Sequence, residues 1–150
     1  MKKILIFLIL GVMTITAKAQ TKEEIKKDYT GPVFEFEHEI INYGDIDKNS
    51  DGNRVFKFKN VGKSPLIIYS VKGSCGCTVP TKPDKPILPG ETGEIKVRYA
   101  TNRVGPFSKT VTVKSNAFEP TKILHVKGRV LDKEAKNILQ EKKNMIQEKN

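Results

Sequence analysis

Both cysteines of the chain, Cys75 and Cys77, stand one glycine apart in Gly-Ser-Cys-Gly-Cys-Thr-Val-Pro at residues 73–80. Thiols at this spacing have three uses. They pack unpaired as small apolar side chains at a strand end. They close a Cys-Gly-Cys disulfide, which an oxidising compartment permits and a flexible Gly76 allows. As thiolates they bind a soft metal such as Cu(I) or Zn(II). A ring so small is expected to be strained and therefore reducible, which suits redox exchange better than stapling. Gly73, Ser74, Gly76, Thr78 and Pro80 are the residues that would support the motif.

Each use needs neighbours. Two thiolates leave a zinc site half filled, and beyond the carboxylates only His38, His125 and Met145 remain after the N-terminal stretch. His125 falls on an outward face if Leu124 and Val126 point inward, and His38 follows a strand whose acids are solvated, so both read as surface histidines. A two-coordinate copper(I) site, or one shared with a partner chain, needs neither. Redox catalysis wants a lowered thiol pKa, for which Lys72 and Lys82 are the nearby cations and no helix start is expected. Other chemistries have no constellation to stand on: no Gly-rich phosphate loop, no Ser-centred elbow, no HExxH and no Cys/His pair at a recognisable spacing. Asp45, Asp47 and Asp51 are spaced loosely like calcium ligands. Ile46, Lys48 and the lack of a closing glutamate make them a solvated turn instead. The reading therefore leans away from an enzyme, calls for no cofactor, and leaves Cu(I) or Zn(II) at Cys75 and Cys77 as the one metal option.

Met1-Lys2-Lys3, the apolar run Ile4 to Ile15 and the small residues of Ala17-Lys18-Ala19 predict a signal peptide over 1–19, cleaved after Ala19. The run is short for a membrane span, which wants about 20 residues. The expectation is a periplasmic or secreted protein without stable membrane insertion after cleavage. Cleavage removes three lysines and no acid, taking the formal net charge from +10 to +7 over 131 residues, enough for one domain. The lysines are dispersed singly at alternating positions (Lys57, Lys59, Lys96, Lys114, Lys122, Lys127), the pattern of a solvated sheet face rather than a nucleic-acid footprint.

Period-two alternation organises residues 33–131. Val33 to Glu37 places Phe34 and Phe36 on one face and the acids on the other. The same pattern buries Phe56 and Phe58, then Ile95, Val97 and Tyr99, then Val111 and Val113, then Leu124, Val126 and Val130. Leu66 to Val71 is apolar on both faces, as in a central strand. Turn formers separate these runs at Asn42 to Asp45, Asn49 to Asn53, Asn60 to Pro65, Pro80 to Gly93, Asn102 to Pro106 and Ser115 to Pro120. The fold expected is all-β: an immunoglobulin-like sandwich of about seven strands. The missing Trp and the closeness of the two cysteines set it apart from antibody domains. A leader over 20–32 reads as mobile. Residues 132–150 place Ala135, Ile138, Leu139 and Ile146 at helical spacing, giving either an amphipathic helix or a solvated tail. Asn60-Val61-Gly62 and Pro89-Gly90 read as strand-ending turns in which glycine supplies a backbone angle other residues avoid.

Four segments together carry a resemblance: Phe-Lys-Phe-Lys-Asn-Val-Gly-Lys-Ser-Pro-Leu-Ile-Ile at 56–68, Val-Lys-Gly-Ser-Cys-Gly-Cys-Thr-Val-Pro at 71–80, Leu-Pro-Gly-Glu at 88–91, and Gly-Pro-Phe-Ser-Lys-Thr-Val-Thr-Val-Lys-Ser-Asn at 105–116. They resemble the DUF1573 family of exported bacterial proteins, whose domain is similar to the immunoglobulin-like folds of major sperm protein and the ASH group. The resemblance implies a domain over about 33–131 and, by analogy of fold alone, a binding or assembly module whose partner is another envelope or secreted protein and not nucleic acid. The alternative is a thiol-redox or copper-handling protein centred on Cys75 and Cys77.

Overall fold

The computed structural model describes residues 29–147. The expected signal peptide over 1–19 lies outside them. Eight strands form two four-stranded sheets: β1 (Phe34–Phe36), β2 (Ile40–Asp47), β3 (Asn53–Asn60), β4 (Ile68–Gly73), β5 (Thr78–Thr81), β6 (Thr92–Tyr99), β7 (Gly105–Ser115) and β8 (Thr121–Leu131), followed by helix α1 (Lys133–Gln147). One sheet runs β1-β3-β6-β5 and the other β2-β8-β7-β4. Neighbours are antiparallel except β2 and β8, which run parallel. The protein is an immunoglobulin-like β-sandwich.

The alternation predicted the core. Phe56, Phe58, Ile95, Val97, Val111, Val113, Leu124, Val126 and Val130 are each fully or almost fully removed from water, and Tyr99 is buried with them. The lysines between them point outward, so each strand presents one dry and one wet face. Aromatic rings fill both ends of the core. Phe34, Phe36 and Phe58 cluster at 5.0–5.4 Å between centroids, and Tyr99 stacks on Phe107 at 3.7 Å. Such pairs add directional preference to area burial.

Three expectations are corrected. Leu66 to Val71 is not a central strand: β4 is the edge of its sheet, with Ile67 42% and Tyr69 60% exposed. Its second apolar face meets solvent because no strand covers that side. Asn42 to Asp45 is not a turn but the middle of β2. A register shift between Asn42 and Asp45, with Gly44 at φ 65°, inserts a bulge there. The bulge resets the alternation, so Ile41 and Tyr43 face inward and the next inward residue is Ile46. Third, Gly90 has the expected positive φ of 82°, but Gly62 does not. Gly62 is needed for closeness instead, since a Cβ there would collide with the Gly31 carbonyl and the Val33 amide.

The flanks attach differently. Residues 29–32 are tied to the sandwich: Lys63 N donates to Gly31 O at 3.1 Å, Phe118 N to Pro32 O at 2.9 Å, and Tyr29 meets Phe118 edge-on. Helix α1 is capped by Asp132, whose carboxylate accepts from Ala135 N at 2.9 Å. Lys136 pairs with Asp47. No residue of α1 is buried, and Ile138, Met145 and Ile146 face solvent. Helical spacing and solvation thus coexist in this segment.

Candidate functional site

The chain leaves one sheet at Gly73 and enters the other at Thr78, so the Cys-Gly-Cys segment bridges two sheet edges on the same flank. Gly73 makes the crossing possible: a Cβ there would collide with the Thr78 carbonyl oxygen. Four hydrogen bonds fix the turn. Ser74 exchanges bonds with β7, its N donating to Thr110 O at 2.9 Å and its Oγ accepting from Thr110 N at 3.1 Å. Thr78 N donates to Cys75 O at 3.2 Å, closing a β-turn over 75–78. Ala100 N donates to Cys77 O at 2.8 Å and anchors the turn to the end of β6.

Within this turn Cys75 and Cys77 form a disulfide, with Cα atoms 5.2 Å apart. Of the three uses open to the pair, this is the disulfide. It also removes the thiolate pair that Cu(I) or Zn(II) would need in this form of the protein. Among the described residues no three His, Cys, Asp or Glu side chains gather as a metal-binding group. His38 and His125 lie exposed on the surface. Asp51 is occupied as a turn former, accepting from Asn53 N at 2.9 Å and Asn53 Nδ2 at 2.7 Å, and Asp47 pairs with Lys136.

The two sulfurs are unequal. Cys77 is 5% exposed and belongs to the core, whereas Cys75 is half-buried at its margin. Thr78, itself 2% exposed, places its hydroxyl 3.7 Å from Cys75 Sγ and 3.9 Å from Cys77 Sγ. Disulfide sulfurs carry no hydrogen, so the threonine donates. Gly76 faces open space at the tip. Beside it opens a groove of about 400 Å³ lined by Gly76, Cys77, Val79, Arg98 and Asn53 among others. Of the cations expected to tune the thiols, Lys82 turns its Nζ to Pro83 O at 3.3 Å, and Lys72 is exposed. Pro80 sits half-buried within β5.

As a staple the disulfide is weak. Chain entropy assigns about 1.6 kcal/mol to closing a three-residue loop, against a total stability of about 5–15 kcal/mol. The large structural bond networks lie elsewhere, and sequence reasoning missed the main one. Asn60 is fully buried. Its Nδ2 donates to Ser64 O at 2.8 Å and Ile87 O at 2.9 Å, and its Oδ1 accepts from Gly62 N at 3.0 Å and Val33 N at 3.3 Å. The signal was the polar residue at an inward position, two after Phe58 in the alternation. A titratable group is buried at Tyr43. Desolvation pushes its phenol up to about 12, the Arg54 cation 4.5 Å over its ring opposes the shift, and Asp51 adds to it. Its hydroxyl donates to Gly52 O at 3.0 Å, a structural role.

Comparison with known proteins fixes the fold. No curated protein matches the sequence. A protein of unknown function from Porphyromonas gingivalis W83 superposes with a TM-score of 0.60 at 17% identity, covering 67% of this chain and 47% of that one, so this chain spans about half its length. The chaperone–tip adhesion subunit pre-assembly complex CsuC–CsuE of Acinetobacter baumannii gives 0.51 at 13% identity over 70% of this chain and 64% of that one. The ASH / PapD-like domain 7 of human CEP192 gives 0.50 at 10% identity, over 66% and 85%. At these identities the likeness is one of architecture, a PapD-like sandwich. Residues 34–130 also match a family described as protein of unknown function, DUF1573. Strands β1 to β7, β8 as far as Val130, Asn60 and the Cys75–Cys77 turn fall inside that match, and the chain belongs to the DUF1573 family.

Proposed function

We propose that the protein is an exported binding and assembly module that takes an extended segment of another envelope or secreted protein along the free edge of β4. The observation that carries this reading is the contrast among the four sheet edges. β1 has only three residues, β5 has four and includes Pro80, which lacks an amide donor, and β2 is bulged at Gly44 and carries Asp45 and Asp47. Short length, proline, bulges and charge are the ways proteins blunt an edge. β4 has six residues with neither proline nor acid, and its only irregularity lies between Ile68 and Ser70. Ile67 and Tyr69 stand exposed beside it, as apolar side chains that an alternating partner strand would cover.

Export is supported by the sequence pattern over 1–19 and by a disulfide within the domain. No helix among the described residues is long and apolar enough to cross a membrane. The A. baumannii relative in fold is a chaperone–tip adhesion subunit pre-assembly complex, which motivates the assembly reading. The test selects linear peptides by display against the full chain, then compares their affinity for Tyr69→Asp and Val79→Asp variants. Loss of about tenfold or more in the first with little change in the second is expected for β4 docking. Failure to select any extended peptide, or equal binding by both variants, refutes it.

A further inference from the structure

We infer that the Cys75–Cys77 disulfide is a thiol-exchange site with divided roles, in which Cys75 is the sulfur attacked by a polypeptide thiolate and Cys77 is the sulfur that leaves. This inference is independent of docking at β4. It rests on the asymmetry of the pair: an incoming thiolate meets the half-buried Cys75 at the core margin, while Cys77 is shielded at 5% exposure. Exchange depends on access to one sulfur and on stabilisation of the other as it departs.

The stabilising group is in place. Thr78 Oγ1 lies 3.9 Å from Cys77 Sγ and 3.7 Å from Cys75 Sγ, so its hydroxyl is a donor within reach of Cys77 when Cys75 is taken up in the mixed disulfide. Cys77 otherwise sits among core residues, where an unassisted thiolate is disfavoured. The substrate is a polypeptide rather than a small thiol because a groove of about 400 Å³ lined by Gly76, Cys77, Val79 and Arg98 opens beside the tip of the turn, giving a chain whose thiol reaches Cys75 somewhere to lie.

The step balances without an outside oxidant. The substrate thiol loses its proton to solvent, and its sulfur bonds to Cys75 Sγ as the Sγ–Sγ bond breaks. The electron pair goes to Cys77 Sγ, which takes up a proton. A second thiol of the same substrate can then attack the substrate sulfur and release Cys75 as a thiol. The substrate dithiol is thereby oxidised to a disulfide, and the protein's disulfide is reduced to two thiols. In the reverse direction Cys77 attacks Cys75 Sγ of the mixed disulfide and expels the substrate. The backbone bonds from Thr78 N to Cys75 O and from Ala100 N to Cys77 O keep the two thiols adjacent, so this closure is intramolecular and fast.

The oxidised full chain is incubated with reduced glutathione as the probe thiol, quenched with acid, alkylated, and mapped by peptide mass. The expected result is a glutathione adduct on Cys75 exceeding any on Cys77 by about tenfold, brief in the native protein and stable in a Cys77→Ser variant treated with oxidised glutathione. A Thr78→Val variant reports the donor: ultraviolet thiolate absorbance of its reduced form should show Cys77 ionising at higher pH, with exchange about fivefold slower. A merely structural role for Thr78 would lower thermal stability and leave that titration where it was. An adduct on neither cysteine, a preference for Cys77, or free alkylation of both thiols without reductant overturns the assignment.

Discussion

Replacing Asn60 by alanine removes four hydrogen bonds at once. One of the abandoned partners, the Val33 amide, belongs to a residue 4% exposed and has no water to turn to, whereas the Ile87 carbonyl keeps its bond from Leu66 N at 2.9 Å. The other two, Gly62 N and Ser64 O, are half-buried and can be re-solvated. An orphaned buried group costs about 1–3 kcal/mol, so the Val33 amide, with a smaller addition for each of the other three lost bonds, brings the total to about 3 kcal/mol. For a domain of this size that is about 10–20 °C in melting temperature. Urea unfolding followed by circular dichroism measures it, and a loss below about 1.5 kcal/mol at an unchanged slope would refute the claim that these bonds hold the strand ends together. Asn60→Asp adds a sign. Its carboxyl must be protonated to face the Ser64 and Ile87 carbonyls, which raises its folded pKa above the unfolded value. The unfolded chain then releases that proton first, so the variant should be most stable at low pH and weaken as pH rises.

Tyr43 predicts alkaline sensitivity of the native protein. Its folded pKa of about 12 exceeds the ordinary 10, so stability is full below pH 10 and falls as pH climbs towards 12, by at most about 3 kcal/mol; Tyr43→Phe should flatten this limb in urea titrations at successive pH values. Gly73→Ala should cost about 2 kcal/mol or more because its Cβ meets the Thr78 carbonyl, whereas Gly76→Ala, facing open space, should stay within about 0.5 kcal/mol, both read by thermal melting. Reducing the disulfide should cost no more than about 1.6 kcal/mol, and a reduced protein that unfolds outright at room temperature would contradict the three-residue-loop estimate.

Strands whose side chains obey strict alternation were legible from sequence, and β3, β6, β7 and β8 bury the residues expected of them. β2 was not, because the Gly44 bulge shifts parity within the strand and the residues flanking it are turn formers. β5 escaped notice for a related reason: four residues with Pro80 carry too little pattern to be told from a loop. The edge position of β4 depends on which strands fail to pair with it, and nothing in Leu66 to Val71 records that. At the candidate site the sequence marked the two cysteines and their neighbours. Their inequality, and the hydroxyl shared between them, arise from the crossing between sheets and could only be seen once both edges were placed.

The parallel register of β2 with β8, Ile40 opposite His125 and Asp47 opposite Leu131, ties the first long strand to the last. Every strand between them must be synthesised before this pairing can form, and β8 is also the strand that links β2 to β7. A nascent chain that stops short of Leu131 can complete the β1-β3-β6-β5 sheet but not the β2-β8-β7-β4 sheet that packs against it. Topologies dominated by such distant pairings fold in about milliseconds to seconds rather than microseconds. The sandwich is thus completed only when synthesis has passed the end of β8.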